Sequence, residues 1–304
     1  MKIAYVVDQI VLCGGLIVPF EHCKELRKRG YEAFIVARGR NQQLQEAYPD
    51  VPVFDFRELE SFTDEDVIVS VWWMQVPELH YKGRKIQFVQ GQDLKAYIGD
   101  DLKKKCLEIR QREDWEIMAV SKYAGEWAEK DFFTVPNAIN DRFFENHNLE
   151  KDIDILIEGN NEENKGIDRS IEIAKGIGGK IAWLGRETKP IEGVECFTNP
   201  LQSEIPKIYQ RAKRFLKLSE SEGFCLPILE AMASKCLVVT HDMGGNDWCK
   251  YGENCLLVDN FKDLNIDKSI VEAGYQTSLK YTWENSINIL ENHLKKVSNL
   301  KPVL

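Results

Sequence analysis

At 304 residues the chain is long enough for two domains of ordinary size, and its 43% hydrophobic and 29% charged residues are the composition of a soluble globular protein. A formal charge of −9 at pH 7 argues against nonspecific nucleic-acid binding, which needs a basic surface. The eight cysteines (Cys13, Cys23, Cys106, Cys196, Cys225, Cys236, Cys249 and Cys255) form no C-x-x-C pair and no zinc-like spacing with the five histidines, so they read as small buried hydrophobes in a reducing compartment.

The opening run Met1-Lys2-Ile3-Ala4-Tyr5-Val6-Val7-Asp8 reads as a first strand, too short and too soon interrupted for a signal peptide, and no apolar stretch approaches the length of a membrane span. A cytoplasmic location is the expectation. Further strands are predicted over 31–37, 67–71, 85–90 and 115–120, with helical patterns near 15–29, 101–112 and 121–130. The turn-forming Val135-Pro136-Asn137-Ala138 and a polar stretch to about Lys151 interrupt the series. It then restarts with strands over 153–158, 180–185, 194–198, 214–218, 236–240 and 255–258 and helices near 166–177, 203–211, 226–234 and 246–251.

Such alternation predicts an α/β architecture of two doubly wound, Rossmann-like domains, residues 1–140 and 141–282, facing a cleft outside the carboxyl ends of their strands. In the last segment, 283–304, Ile287, Leu290, Leu294 and Val297 recur at helical spacing. This helix either pads the second domain or crosses back to brace the first.

Candidate ligand residues cluster at strand-to-helix turns. Gly14 and Gly15 follow the first strand, where paired glycines allow close backbone approach to a ligand or simply make a flexible turn; a full G-x-G-x-x-G is absent. The polar loop Gly159–Gly166 brings Lys165 just ahead of a helix, where a cation can meet a diphosphate or only solvate a surface. Gly185-Arg186 ends another strand, and a guanidinium there can clamp phosphate bidentately. Gly244-Gly245 makes a later tight turn. Trp72 and Trp73 end the strand 67–71, with core packing as their default role and acceptor stacking as the alternative. Gln90-Gly91-Gln92-Asp93 closes the strand 85–90 and can face the cleft.

The most informative run is Ser219-Glu220-Ser221-Glu222-Gly223-Phe224-Cys225-Leu226-Pro227-Ile228-Leu229-Glu230-Ala231-Met232-Ala233. Pro227 suits the first turn of a helix, placing Glu222 in the loop ahead of it and Glu230 about one turn inside. Unpaired amides and the partial positive charge of a helix start suit an anion. Two carboxylates beside an anion site suggest a ligand with phosphates and hydroxyls, although acidic residues also serve as ordinary helix-start charges.

With these residues in view, the chain resembles the family-4 retaining glycosyltransferases of the GT-B fold. The likeness rests on the signature S-x-x-E-G-F-x-L-P-x-x-E-A-M-A at 219–233, Gly244-Gly245, the amino-terminal Gly-Gly loop, V-P-N-A-I at 135–139 and Lys165-Gly166. It implies transfer of a sugar, with retention, from a nucleoside diphosphate sugar to a glycan, lipid or small-molecule acceptor, with no cofactor and no metal. Glu222 would contact the donor sugar and Glu230 the ribose hydroxyls. The amides of Gly223, Phe224, Cys225 and Leu226 would reach sugar and diphosphate, Lys165 would bind phosphate, and Gly14-Gly15 would touch donor phosphate or acceptor. Trp72, Trp73 and Gln90 are the acceptor-side candidates. The family's departing phosphate takes the acceptor's proton, with Asp93 as the alternative base.

The chain departs from the family pattern at several positions. Asn160 stands where the family usually has Arg, so Arg186 is the candidate replacement. Gln90 replaces a common His, Trp248 a Glu and Cys255 a Gly. A GT-B epimerase or hydrolase and a catalytically weak donor-binding subunit are the rival readings; a nicotinamide dehydrogenase lacks its fingerprint. Lys103-Lys104-Lys105 offers either a peripheral membrane contact or a solvated helix face.

Overall fold

The computed structural model describes residues 1–8, 14–39, 42–91, 99–145 and 149–298, and they divide into two compact units, Met1–Asn137 with Trp283 onward, and Ala138–Thr282. In the first unit the elements run β1 (Lys2–Val6), α1 (Gly14–Lys28), β2 (Glu32–Val36), α2 (Gln42–Ala47), β3 (Val53–Phe54), β4 (Val67–Ser70), β5 (Arg84–Val89), α3 (Asp100–Arg110), β6 (Glu116–Ala119), α4 (Lys122–Glu126) and β7 (Phe132–Thr134). The strands form one parallel sheet of order β3-β2-β1-β4-β5-β6-β7. Its central strands are apolar along nearly their whole length because helices cover both faces: Ile3, Ala4, Tyr5 and Val6 of β1 are all fully buried.

The second unit runs β8 (Ile153–Glu158), α5 (Ile167–Ile177), β9 (Ile181–Gly185), β10 (Val194–Thr198), α6 (Ile205–Arg211), β11 (Ala212–Lys217), α7 (Leu226–Ala233), β12 (Leu237–Thr240), β13 (Leu256–Leu257) and α8 (Lys268–Ser278). Its parallel sheet has the order β10-β9-β8-β11-β12-β13. The strand order reverses between β8 and β11, so the loops leaving their carboxyl ends diverge to opposite faces and open a crevice between them. That crevice is where the second unit places Gly159, Lys165 and the Ser219–Cys225 turn.

A last helix, α9 (Trp283–Ser298), belongs to the first unit. Its apolar stripe, Ile287, Leu290 and Leu294, is at most 2% exposed. Its polar flank is tied down: Glu291 accepts from Arg29 (2.8 Å) and from the Tyr31 hydroxyl (2.8 Å), Ser286 donates to the Pro136 carbonyl (2.7 Å), and the ring of His293 stacks on Phe133 and reaches Glu116 Oε2 at 3.0 Å.

The sequence reading predicts no helix where α8 lies, and two further differences from it have simple causes. No helix forms over 246–251; that segment is a turn held by asparagines, with Asn254 accepting from the Lys250 amide and Asn246 accepting from the Met243 amide. The strands β3 and β7, which the sequence reading lacks, are only two or three residues long and lie at sheet edges, too short to show a period.

Candidate donor site

The site grows out of β11. Beyond Lys217 the chain turns through Leu218–Cys225 and enters α7, an apolar helix whose only charged residue is Glu230. Cys225 sits in the left-handed region (φ 53°, ψ 57°) as the helix N-cap, and Pro227 follows in the first turn. Pro227 has no N–H and the Ile228 amide donates to the Cys225 carbonyl (3.2 Å), so the Leu226 amide is the donor of this turn without an intrahelical acceptor.

Two glycines let neighbouring turns close on this one. Gly166 has φ +63°, and a Cβ there would lie 2.1 Å from the Leu218 carbonyl oxygen. A Cβ on Gly245 would lie 2.3 Å from the Glu222 carbonyl oxygen, so only glycine lets the 242–246 turn lie against Glu222, whose amide donates to Met243 O at 3.1 Å. The Glu220 amide donates to Asn164 O (2.8 Å), stitching the turn after β8 to the turn after β11. These contacts bring Lys165 Nζ within 3.0 Å of Glu222 Oε1.

A second ammonium lies beneath the first. Lys217 is 2% exposed, donates to Glu158 Oε2 (2.7 Å) and to the Glu158 carbonyl (3.0 Å), and stands 3.7 Å from Glu222 Oε1. Burial opposes charge on Lys217, yet the adjacent Glu158 and Glu222 carboxylates outweigh it and raise its pKa. Burial alone would raise Glu222; Lys217 and Lys165, with a smaller contribution from Ser219, pull it below the usual range. Glu230 meets the opposite balance. Its enclosure, with Glu158 nearby, pushes it up to about 8 despite a Tyr209 hydrogen bond and the attraction of Lys217.

The other candidates fall in two places. In the second unit, the Arg186 amide donates to Asn160 Oδ1 (3.0 Å), so the loops after β8 and β9 are joined at the position where a second cation was expected. Phe224 is buried and meets Trp248 and Tyr281 at ring-centroid distances of 6.2 and 5.8 Å, a wedge behind the start of α7. In the first unit, Gln90 Nε2 donates to the Gly15 carbonyl (2.7 Å), linking the end of β5 to the Gly14-Gly15 start of α1. Trp73 packs into that unit's core, whereas Trp72 is 43% exposed. Asp93 lies outside the described residues. Sequence reasoning missed Glu158, Lys217 and Tyr209; the available signal was a charged residue closing each of two neighbouring apolar strands. Among the described residues no cluster of three or more His, Cys, Asp or Glu side chains is arranged to hold a metal ion, and no helix is long and apolar enough to cross a membrane.

Comparison with known proteins bears on this geometry. Residues 144–272 match the sequence model of the glycosyl transferases group 1 family. A curated relative, the UDP-N-acetylglucosamine–peptide N-acetylglucosaminyltransferase GtfA subunit of Streptococcus parasanguinis, is 28% identical over 154 residues, 48% of this chain and 31% of the relative. The chain thus spans about a third of that relative's length. Sucrose-phosphate synthase from Thermosynechococcus elongatus superposes with a TM-score of 0.81 at 12% identity, covering 99% of this chain and 100% of that one. Anabaena Alr3699/HepE, solved with UDP and glucose, gives 0.78 at 13% identity with the same coverage. At such identities the likeness is one of fold. The chain has the two Rossmann-like α/β domains of the GT-B fold, and within its second unit residues 144–272 are similar to the glycosyl transferases group 1 family.

Proposed function

We propose that the chain is a retaining glycosyltransferase that moves a hexosyl or related sugar from a nucleoside diphosphate sugar to a glycan, lipid or small-molecule acceptor in the cytoplasm. A UDP-sugar is the first donor to try, since UDP or a UDP-sugar appears in the names of the curated relative and of the Anabaena structure. The observation that carries the reading is the 3.0 Å contact between Lys165 and Glu222 at the head of α7, inside the matched domain.

In this reading the bond from the anomeric carbon to the diphosphate breaks and a bond to the acceptor oxygen forms on the same face. The acceptor's proton passes to the departing phosphate oxygen. Negative charge accumulates on the diphosphate as the sugar becomes oxocarbenium-like, so Lys165, Arg186 and the amides of Phe224, Cys225 and Leu226 leading into α7 act most where charge develops. These fixed donors supply that stabilisation without a metal. Glu222 contacts the sugar, and Glu230 the ribose hydroxyls.

A panel of UDP-, GDP- and ADP-sugars tests this by thermal shift and by product analysis with mixed acceptors in the presence of a chelator. A matching donor should stabilise the fold by about 3 kcal/mol at a hundredfold excess over its Kd. Glu222→Ala and Lys165→Ala should stay folded and lose transfer by about a hundredfold or more. Full activity in both variants, or shifts with nicotinamide cofactors alone, would overturn the assignment. A donor shift without turnover on any acceptor would select the donor-binding subunit, the reading favoured by Asn160 at the expected arginine position.

A further inference from the structure

We propose that Lys217 is a positioning residue for Glu222, holding that carboxylate from below while Lys165 turns away to bind a diphosphate. This rests on the donor reading only for the identity of the anion that draws Lys165. β8 and β11 are hydrogen-bonded neighbours in register Leu216↔Ile157, and each ends an apolar run in a charged residue, Glu158 and Lys217. A buried ammonium is tolerated only with partners in good geometry. Lys217 has two on Glu158, at 2.7 and 3.0 Å, and these anchor it whether or not a ligand is present. Its remaining direction faces Glu222 at 3.7 Å.

Lys165 is built differently. Its side chain is 25% exposed and stands on a short turn, with Glu222 as its ion-pair partner. A diphosphate carries more charge than one carboxylate and competes for Lys165 by Coulomb attraction. Glu222, 18% exposed, would then be stranded without a second cation. The groups facing Glu222 are Lys217 from β11, Lys165 from the turn before α5, and Ser219 and Cys225 from its own turn; Glu158 and Glu230 lie in the field of Lys217. Lys217 is the one cation among these that a solvent-borne ligand does not reach.

The test follows the Glu222 carboxyl by 13C NMR of protein labelled at the glutamate side chain, assigned with Glu222→Gln, over about pH 3 to 9, with and without UDP. Wild type is compared with Lys217→Met, with Lys217→Arg, and with Glu158→Leu/Lys217→Met, which leaves no unpaired carboxylate beneath the site and keeps the fold if the single variant loses it. Wild-type Glu222 should stay ionised at neutral pH with UDP bound. In Lys217→Met and in the double variant its midpoint should rise by about one pH unit or more, further with UDP, and Arg should reverse the rise. UDP affinity should change by less than about threefold, whereas kcat should fall about tenfold or more at pH 7 and recover as pH rises. An unchanged Glu222 titration in the folded double variant, or an unchanged kcat and pH profile, overturns the proposal. If no nucleoside diphosphate binds even wild type, the donor reading fails, and the ligand-free titration still decides whether Lys217 holds Glu222.

Discussion

Glu222 and Glu230 are the same side chain eight positions apart, and their surroundings push their proton affinities in opposite directions. Two ammoniums keep Glu222 ionised, whereas Glu230, enclosed near Glu158, is pushed up to about 8. The sign of the second effect is fixed by linkage. The folded state binds the Glu230 proton more tightly than the unfolded chain, so this residue's contribution to stability falls as pH rises from about 4.5 toward 8. Glu230→Gln should therefore flatten that slope and raise Tm at pH 8, by about 2–4 °C for each kcal/mol relieved, as measured by melts across the range. An unchanged slope would remove the enclosure argument. Both glutamates were legible in the sequence as a spaced pair at a helix start. Lys217 and Glu158 were not, because a charge at a strand end ordinarily reads as solvent-exposed, and only strand pairing shows that each neutralises the other.

At the level of elements, the site depends on turns that pack more closely than side chains permit. Gly166→Ala would force a Cβ to within 2.1 Å of a carbonyl oxygen at a φ of +63°. It should cost about 2 kcal/mol or more in urea unfolding and displace Lys165 from Glu222, weakening nucleotide binding as well. Cys225 adopts the same region without a glycine's freedom. Cys225→Val, β-branched at a left-handed position, should destabilise by about 1–2 kcal/mol in the same assay, while Cys225→Gly stays near neutral because relief of strain offsets the lost buried thiol. The long strands and helices around these turns were readable from hydrophobic period. The 246–251 segment was not: its helical spacing was overridden by asparagine side chains that capture backbone groups locally.

Across the whole molecule, the two α/β units were legible from the restart of the strand–helix series after Pro136. The allegiance of α9 was not, since an amphipathic stripe records that a face is buried and not against what. Its partners, Arg29, Tyr31 and Glu116, lie more than 170 residues earlier in the sequence. Leu290→Ala removes a side chain 1% exposed and should cost about 2–4 kcal/mol. Calorimetry should place that loss in the transition of the first unit and leave that of the second in place; an equal shift of both would contradict the division.

The return of α9 also sets an order of events on the ribosome. Every residue of the second unit leaves the exit tunnel before the helix that completes the first, so the second unit can fold while the first still exposes the face of α1 that α9 will cover. For about 150 residues of synthesis, at roughly 5–20 residues per second, the nascent chain carries an unclosed sheet domain that is exposed to chaperones and to other copies of itself.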